Sequence, residues 1–165
     1  MKPARLLYAL PALACAALLG FGYYLQYFDG QDPCPLCLVQ RGFYYGVILV
    51  FIPAALHYPG RIGSRIYCAA GALFSLGGFG VAARQVWLQH LPVDQAPACG
   101  PDLFFMMENF PLRRILDKVF LGSGQCAEVH WRFLGLSIAE WSLVCFAGLA
   151  AYSIWLAFSA RSPGR

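Results

Sequence analysis

The chain has 165 residues, 59% of them hydrophobic and 12% charged, and a formal net charge of +4. Soluble domains run at roughly 45–50% apolar and about 25% charged residues, so the composition excludes an ordinary soluble fold and predicts a membrane protein. The Lys and Arg residues are scattered, with no basic block or stripe, and nothing points to nucleic acid as a partner.

The apolar runs are each about as long as the ~20 residues a helix needs to cross the hydrocarbon core. Together they predict an all-α membrane protein, a four-transmembrane-helix bundle forming a single membrane domain over residues 1–165. The first span is expected at about 6–28, because no charged residue occurs between Leu6 and Phe28. A cleavable signal peptide is the rival reading, since Lys2 and Arg5 make a positive start and Ala12-Leu13-Ala14-Cys15 loosely resembles a lipoprotein cleavage site. The apolar run continues well past Cys15, where a signal would have given way to a polar mature chain, so a retained helix is favoured.

The second span is expected at about 42–58, and it extends backward into a Cys-x-x-Cys motif because Pro35 suits the first turn of a helix. The third is expected at about 66–83, between Arg65 and Arg84. Its Gly71, Gly77, Gly78 and Gly80, like Gly42 and Gly46 before them, allow close helix contact. The fourth is expected at about 138–158. It opens in FLGLSIAEW, where Ser137 and Glu140 form a capping box ahead of an apolar run. That box brings Glu140 to the membrane surface and gives it a capping role, although an ionisable residue within a span would otherwise be a functional candidate.

Four spans put both termini on one side, together with Lys2, Arg5, Arg61, Arg65, Arg161 and Arg165 and no acid. The opposite segments, about 29–41 and 84–137, hold six basic residues too, diluted over a long loop and mixed with every Asp and Glu except Glu140, which lies at that same membrane surface. Basic residues crowded into short tails and a short turn favour cytoplasmic termini. The two opposite segments are then periplasmic or otherwise extracytoplasmic. In the longer one, PLRRILDKVFLG places Leu112, Ile115, Leu116, Val119 and Phe120 opposite Arg113, Arg114 and Lys118, which predicts a short interfacial amphipathic helix.

The seven cysteines sort by place. Cys15, Cys68 and Cys145 fall inside spans, where free cysteine packs as a small hydrophobe. Cys34, Cys37, Cys99 and Cys126 all fall in the extracytoplasmic segments, the disulfide-permissive side. A four-cysteine zinc site is disfavoured because only one close pair exists, so no metal is expected. Two structural disulfides are the ordinary alternative for such loops. Against a purely structural role stands the first pair. A Cys-x-x-Cys at a helix start is an environment that favours the thiolate, and Arg41 lies one turn beyond Cys37 on the same face. No alternating strands and helices surround the motif, so it is not in a thioredoxin setting. A redox pair at a lipid boundary suggests a lipid-soluble two-electron acceptor, a membrane quinone.

Cys34-Pro35-Leu36-Cys37 followed by Arg41, the separated pair Cys99 and Cys126, and the string SGQCAEVHWRFLGL resemble the DsbB family of disulfide bond formation proteins of the bacterial inner membrane. The resemblance covers essentially the whole chain. It implies a thiol:quinone oxidoreductase that reoxidises a DsbA-like periplasmic thiol oxidase, with ubiquinone the first expectation for the cofactor and menaquinone the alternative. It also implies roles. Cys99 would form the mixed disulfide with the soluble partner and free Cys126; Cys34 would exchange with Cys126; Cys37 would be the thiolate at the quinone; and Arg41 would support quinone binding. His90 resembles a position that lines the quinone pocket, while an interfacial side chain is the plainer reading for a lone histidine there. Gln40 departs from the pattern, since some relatives carry an acid at that position. Two rivals stand beside this reading. One is an oxidoreductase of the vitamin K epoxide reductase type, whose close pair comes late in the chain. The other is a tetraspan structural protein with static loop disulfides.

Overall fold

The computed structural model describes residues 3–30, 33–57, 59–92, 111, 124–127, 129 and 131–159. Four long helices dominate: α1 (Pro3–Phe28), α2 (Pro35–His57), α3 (Arg61–Gln89) and α5 (Ile138–Ser159). A single turn, α4 (Gly124–Ala127), and a two-residue hairpin, β1 (Arg132–Phe133) with β2 (Leu136–Ser137), lie between α3 and α5. Each long helix is long and apolar enough to span a bilayer. The protein is thus an all-α, four-helix membrane bundle. Cys99, His130 and the segment expected to form the interfacial helix lie outside the described residues.

Helix ends follow local chemistry. Pro35 opens α2, and the Cys34 carbonyl accepts the first intrahelical bond from Leu38 N–H at 3.1 Å. Helix α3 runs beyond its expected span at both ends, because Arg61, Arg65 and Arg84 sit at its margins without breaking it. The Arg84 guanidinium lies over the Trp87 ring, 4.3 Å from its centroid, an arrangement suited to an interface where chain stems lie in apolar surroundings. At α5 the capping box forms as the sequence predicts: Glu140 N–H donates to Ser137 Oγ at 3.3 Å, and Ser137 N–H donates to Glu140 Oε2 at 2.6 Å. The hairpin turns through Leu134 (φ 52°) and Gly135 (φ 83°), the positive pair that a tight two-residue turn demands.

Packing runs α1 on α2, α2 on α3, and α3 on α5. Rings fill glycine gaps: a Cβ on Gly71 would strike Phe51, one on Gly77 would strike Phe43, and one on Gly78 would strike Phe146. Gly46 of α2 likewise receives Phe74 of α3. The glycines therefore act as sockets for aromatic knobs, while Gly42 and Gly80 have open space where a Cβ would be and take no part. Tyr44 and Phe146 stack at 4.1 Å in the centre of the core. Outward, leucines such as Leu13, Leu49 and Leu73 are exposed, Leu49 by 73%, as a lipid-facing surface requires. A second, smaller cluster of Cys34, Leu36, Val81, Leu88 and Cys126 packs where the N-terminal end of α2 meets the C-terminal part of α3 and α4.

Candidate functional site

Three of the four expected cysteines meet at the head of α2. Cys34 Sγ donates to Cys37 Sγ at 3.2 Å, and Cys34 also hydrogen-bonds to Cys126 of α4. Cys34 thus stands between its two neighbours, buried with Cys126 beneath Leu36, Val81 and Leu88. Its hydrogen bonds to Cys126 and Cys37, joined by burial, push its titration well above the ordinary thiol range, so it is held as a neutral thiol. The sulfurs of Cys34 and Cys37 lie 3.2 Å apart, within contact distance, so the two are placed to form a disulfide once oxidised.

Polar side chains from α2 and α3 surround this pair. Gln85 Nε2 donates to Cys37 Sγ at 3.2 Å and to Cys34 Sγ at 3.5 Å. Gln40 Nε2 in turn donates to Gln85 Oε1 at 2.6 Å. Arg41 is anchored to α1: its Nη1 donates to Gln26 Oε1 at 2.6 Å, its Nη2 to the Gly22 carbonyl at 3.1 Å, and its guanidinium lies over Tyr23 at 4.6 Å. Two hydrogen bonds from one fork and a ring beneath it fix the cation in place.

Cys34, Cys37, Gln40, Arg41 and Gln85 all face a cavity of about 550 Å³. Its walls come from α1 (Leu18, Phe21, Leu25) and α5 (Ile138, Trp141, Cys145), and its volume and apolar lining suit a small organic ligand. Trp131 and Phe133 roof it: Trp131 packs edge-on against Phe21 at 5.7 Å and stacks on Phe133 at 5.9 Å, while Trp141 Nε1–H donates to the Phe133 carbonyl at 3.1 Å. The hairpin thereby ties the roof to α5.

His90 is placed elsewhere. It caps the C-terminus of α3 with its side chain 67% exposed, its Nδ1–H donating to the Val86 carbonyl at 2.9 Å and its Nε2 3.9 Å from Glu140 Oε1. The cavity wall takes Gln89 from this segment, and Ser137 Oγ–H donates to Gln89 Oε1 at 2.7 Å. His90 thus sits as the interfacial side chain of the plainer reading, and the preceding residue is the one on the cavity wall. Neither Gln85 nor Gln26 stands out in the sequence: Gln26 is a polar amide inside the first apolar run, whereas Gln85 lies just past Arg84, beyond the third.

The family model for "Disulfide bond formation protein DsbB" matches residues 4–156. Curated relatives named Disulfide bond formation protein B include those of Hahella chejuensis, 48% identical over 96% of this chain and 95% of the relative, and Methylococcus capsulatus, 47% identical over 93% and 94%. That of Aromatoleum aromaticum is 50% identical over 86% of this chain and 85% of its own. A helix-end dithiol in contact with a loop cysteine agrees with that kinship, and the chain belongs to the DsbB family of disulfide bond formation proteins, membrane-embedded disulfide oxidoreductases.

Proposed function

We propose that the chain reoxidises a DsbA-like thiol oxidase outside the cytoplasmic membrane and delivers the two electrons to a membrane quinone, with both termini in the cytoplasm of a bacterial cell. The observation that carries this reading is the contact series Cys126, Cys34, Cys37, which ends at a cavity walled by apolar residues of α1 and α5.

The thiol steps balance as follows. A thiolate of the reduced partner attacks Cys99 Sγ, the Cys99–Cys126 bond breaks, and Cys126 leaves as thiolate. Cys126 attacks Cys34 Sγ, the Cys34–Cys37 bond breaks, and the electron pair moves to Cys37. The partner's second thiol then releases Cys99, giving the oxidised partner. Cys99 attacks Cys126 in the Cys34–Cys126 bond, which restores the Cys99–Cys126 disulfide and leaves Cys34 and Cys37 reduced. The central place of Cys34 supports this order, since it is the sulfur within reach of both others.

The residues of the cavity fit a quinone: flat aromatic side chains roof it, aliphatic ones wall it, and Arg41 and the amides of Gln40 and Gln85 line it at the sulfurs. When bound, a quinone supplies an acceptor for two electrons and two protons. Arg41 contributes a fixed positive charge beside the group that gains electrons. Trp131, Phe133 and Trp141 exclude water, and a ligand dissolved in lipid would enter past α1 and α5, which wall the cavity.

Mixing the oxidised chain with one equivalent of a reduced DsbA-like protein, with quinone withheld, is expected to accumulate the form in which Cys34 and Cys37 are reduced and the Cys99–Cys126 disulfide is restored, read by peptide mapping. In Cys99→Ser that species is not expected to form. Its absence in the wild type, with both original pairs intact, would refute the relay.

A further inference from the structure

We propose that the Gln85 carboxamide is the hydrogen-bond donor that receives the negative charge on Cys37, and that Gln40 is the positioning residue that keeps that carboxamide turned the right way. This rests on the reading of Cys37 as the sulfur that gains the electron pair.

A glutamine amide has a donor end and an acceptor end of nearly the same shape, so what fixes its direction is its partners. Here Gln40 Nε2 donates to Gln85 Oε1 at 2.6 Å, and Gln85 Nε2 is thereby directed to Cys37 at 3.2 Å and Cys34 at 3.5 Å. Both amides are nearly removed from solvent, with Gln40 3% and Gln85 4% exposed. Buried amides without partners are costly, so each holds the other in place. Gln85 Oε1 also lies 3.6 Å from Cys37 Sγ, where it can accept from the thiol before the proton leaves. One side chain thus serves both states of the sulfur, accepting from the thiol and donating to the thiolate.

Arg41 is the obvious alternative donor, but its guanidinium is committed to Gln26, the Gly22 carbonyl and the Tyr23 ring of α1. Gln85 is the group in contact with the sulfur itself. When Cys126 attacks Cys34, the bond between Cys34 and Cys37 breaks and both its electrons go to Cys37. The Gln85 N–H already points at the atom where that charge develops, and a donor fixed beforehand needs no reorganisation at that moment.

The test uses the full-length reduced protein in lipid nanodiscs and iodoacetamide labelling of Cys37, followed by peptide mass spectrometry. The readout is the ratio of labelling rates at about pH 7 and about pH 9.5, in which steric access cancels and the thiolate fraction remains. Gln85→Leu is expected to lower the ratio about tenfold, the effect of losing one hydrogen bond to a charged group. Gln40→Leu is expected to lower it by a smaller factor. The double variant Gln40→Leu/Gln85→Leu leaves no amide without a partner, so it is the one best able to fold, and it is expected to match Gln85→Leu alone. An unchanged ratio in Gln85→Leu or in the double variant would overturn the donor role of Gln85. A double variant lower than Gln85→Leu would overturn the positioning role of Gln40. Quinone turnover is read separately. A lowered ratio in Gln85→Leu beside a wild type that turns over no quinone supports this contact and removes the quinone reading; an unchanged ratio in Gln85→Leu beside an active wild type does the reverse.

Discussion

Cys34 and Cys37 share a motif yet differ in surroundings. Cys34 is buried and held as a neutral thiol by its hydrogen bonds to Cys126 and Cys37, whereas Cys37 is partly open and faces the cavity. Iodoacetamide at about pH 8 is therefore expected to label Cys37 at least tenfold faster than Cys34 in the reduced wild type, measured by peptide mapping. Equal rates would contradict the asymmetry. The same shift has a stability consequence. The folded state holds the Cys34 proton more tightly than the unfolded chain, whose thiol titrates near 9.0. Its stabilising contribution is complete below that value and is lost as pH rises above it. Melting of the reduced wild type is thus expected to fall more steeply above pH 9 than that of Cys34→Ser. Arg41 makes its case through geometry: Lys keeps the charge but loses the fork to Gln26 and Gly22. Arg41→Lys is expected to raise the KM for a soluble quinone analogue about tenfold, roughly 1.4 kcal/mol of binding. The motif and Arg41 were legible in the sequence because they lie within one short stretch. Gln85 was not, since it reaches Cys37 only after α3 folds back against α2. For His90 the plainer reading, an interfacial side chain, matches its exposed place at the end of α3, and one residue on a helix is a turn of about 100°, which sets the preceding Gln89 on the cavity wall.

Helices carry the next layer. Their existence was plain from uninterrupted apolar runs, and the Ser137 and Glu140 box marked the start of α5 to the residue. Their ends were less plain where arginines lie within reach of the interface, as at both ends of α3. Removing the cap by Ser137→Ala is expected to cost about 1 kcal/mol, seen as a lower melting temperature in detergent. The glycines were legible as packing residues, but nothing in the spacing said that rings would occupy them. Gly78→Ala places a methyl group against Phe146 in the stacked pair with Tyr44, and overpacking of this kind costs about 1–3 kcal/mol. Gly80→Ala, with open space at the same helix turn, is expected to melt like the wild type.

At the scale of the whole molecule, the bundle is tied at one end and holds the cavity towards the other. Tyr152 Oη donates to the Leu7 carbonyl at 2.9 Å, joining α5 to α1, and nearer the hairpin, residues of the same two helices line the cavity. The proposed transfer from a water-borne thiol to a lipid-borne acceptor would use that arrangement, with the sulfurs at the head of α2 and the cavity beside them. The central claim is that electrons cross from the loop cysteines to the Cys34 and Cys37 pair and leave through the cavity. Its most direct test is quinone reduction by purified protein given a reduced DsbA-like partner, followed by absorbance in the wild type, Cys37→Ser and Cys99→Ser. The account predicts steady turnover in the wild type and its loss in both variants. Sustained turnover in either variant, or none in the wild type, would contradict it.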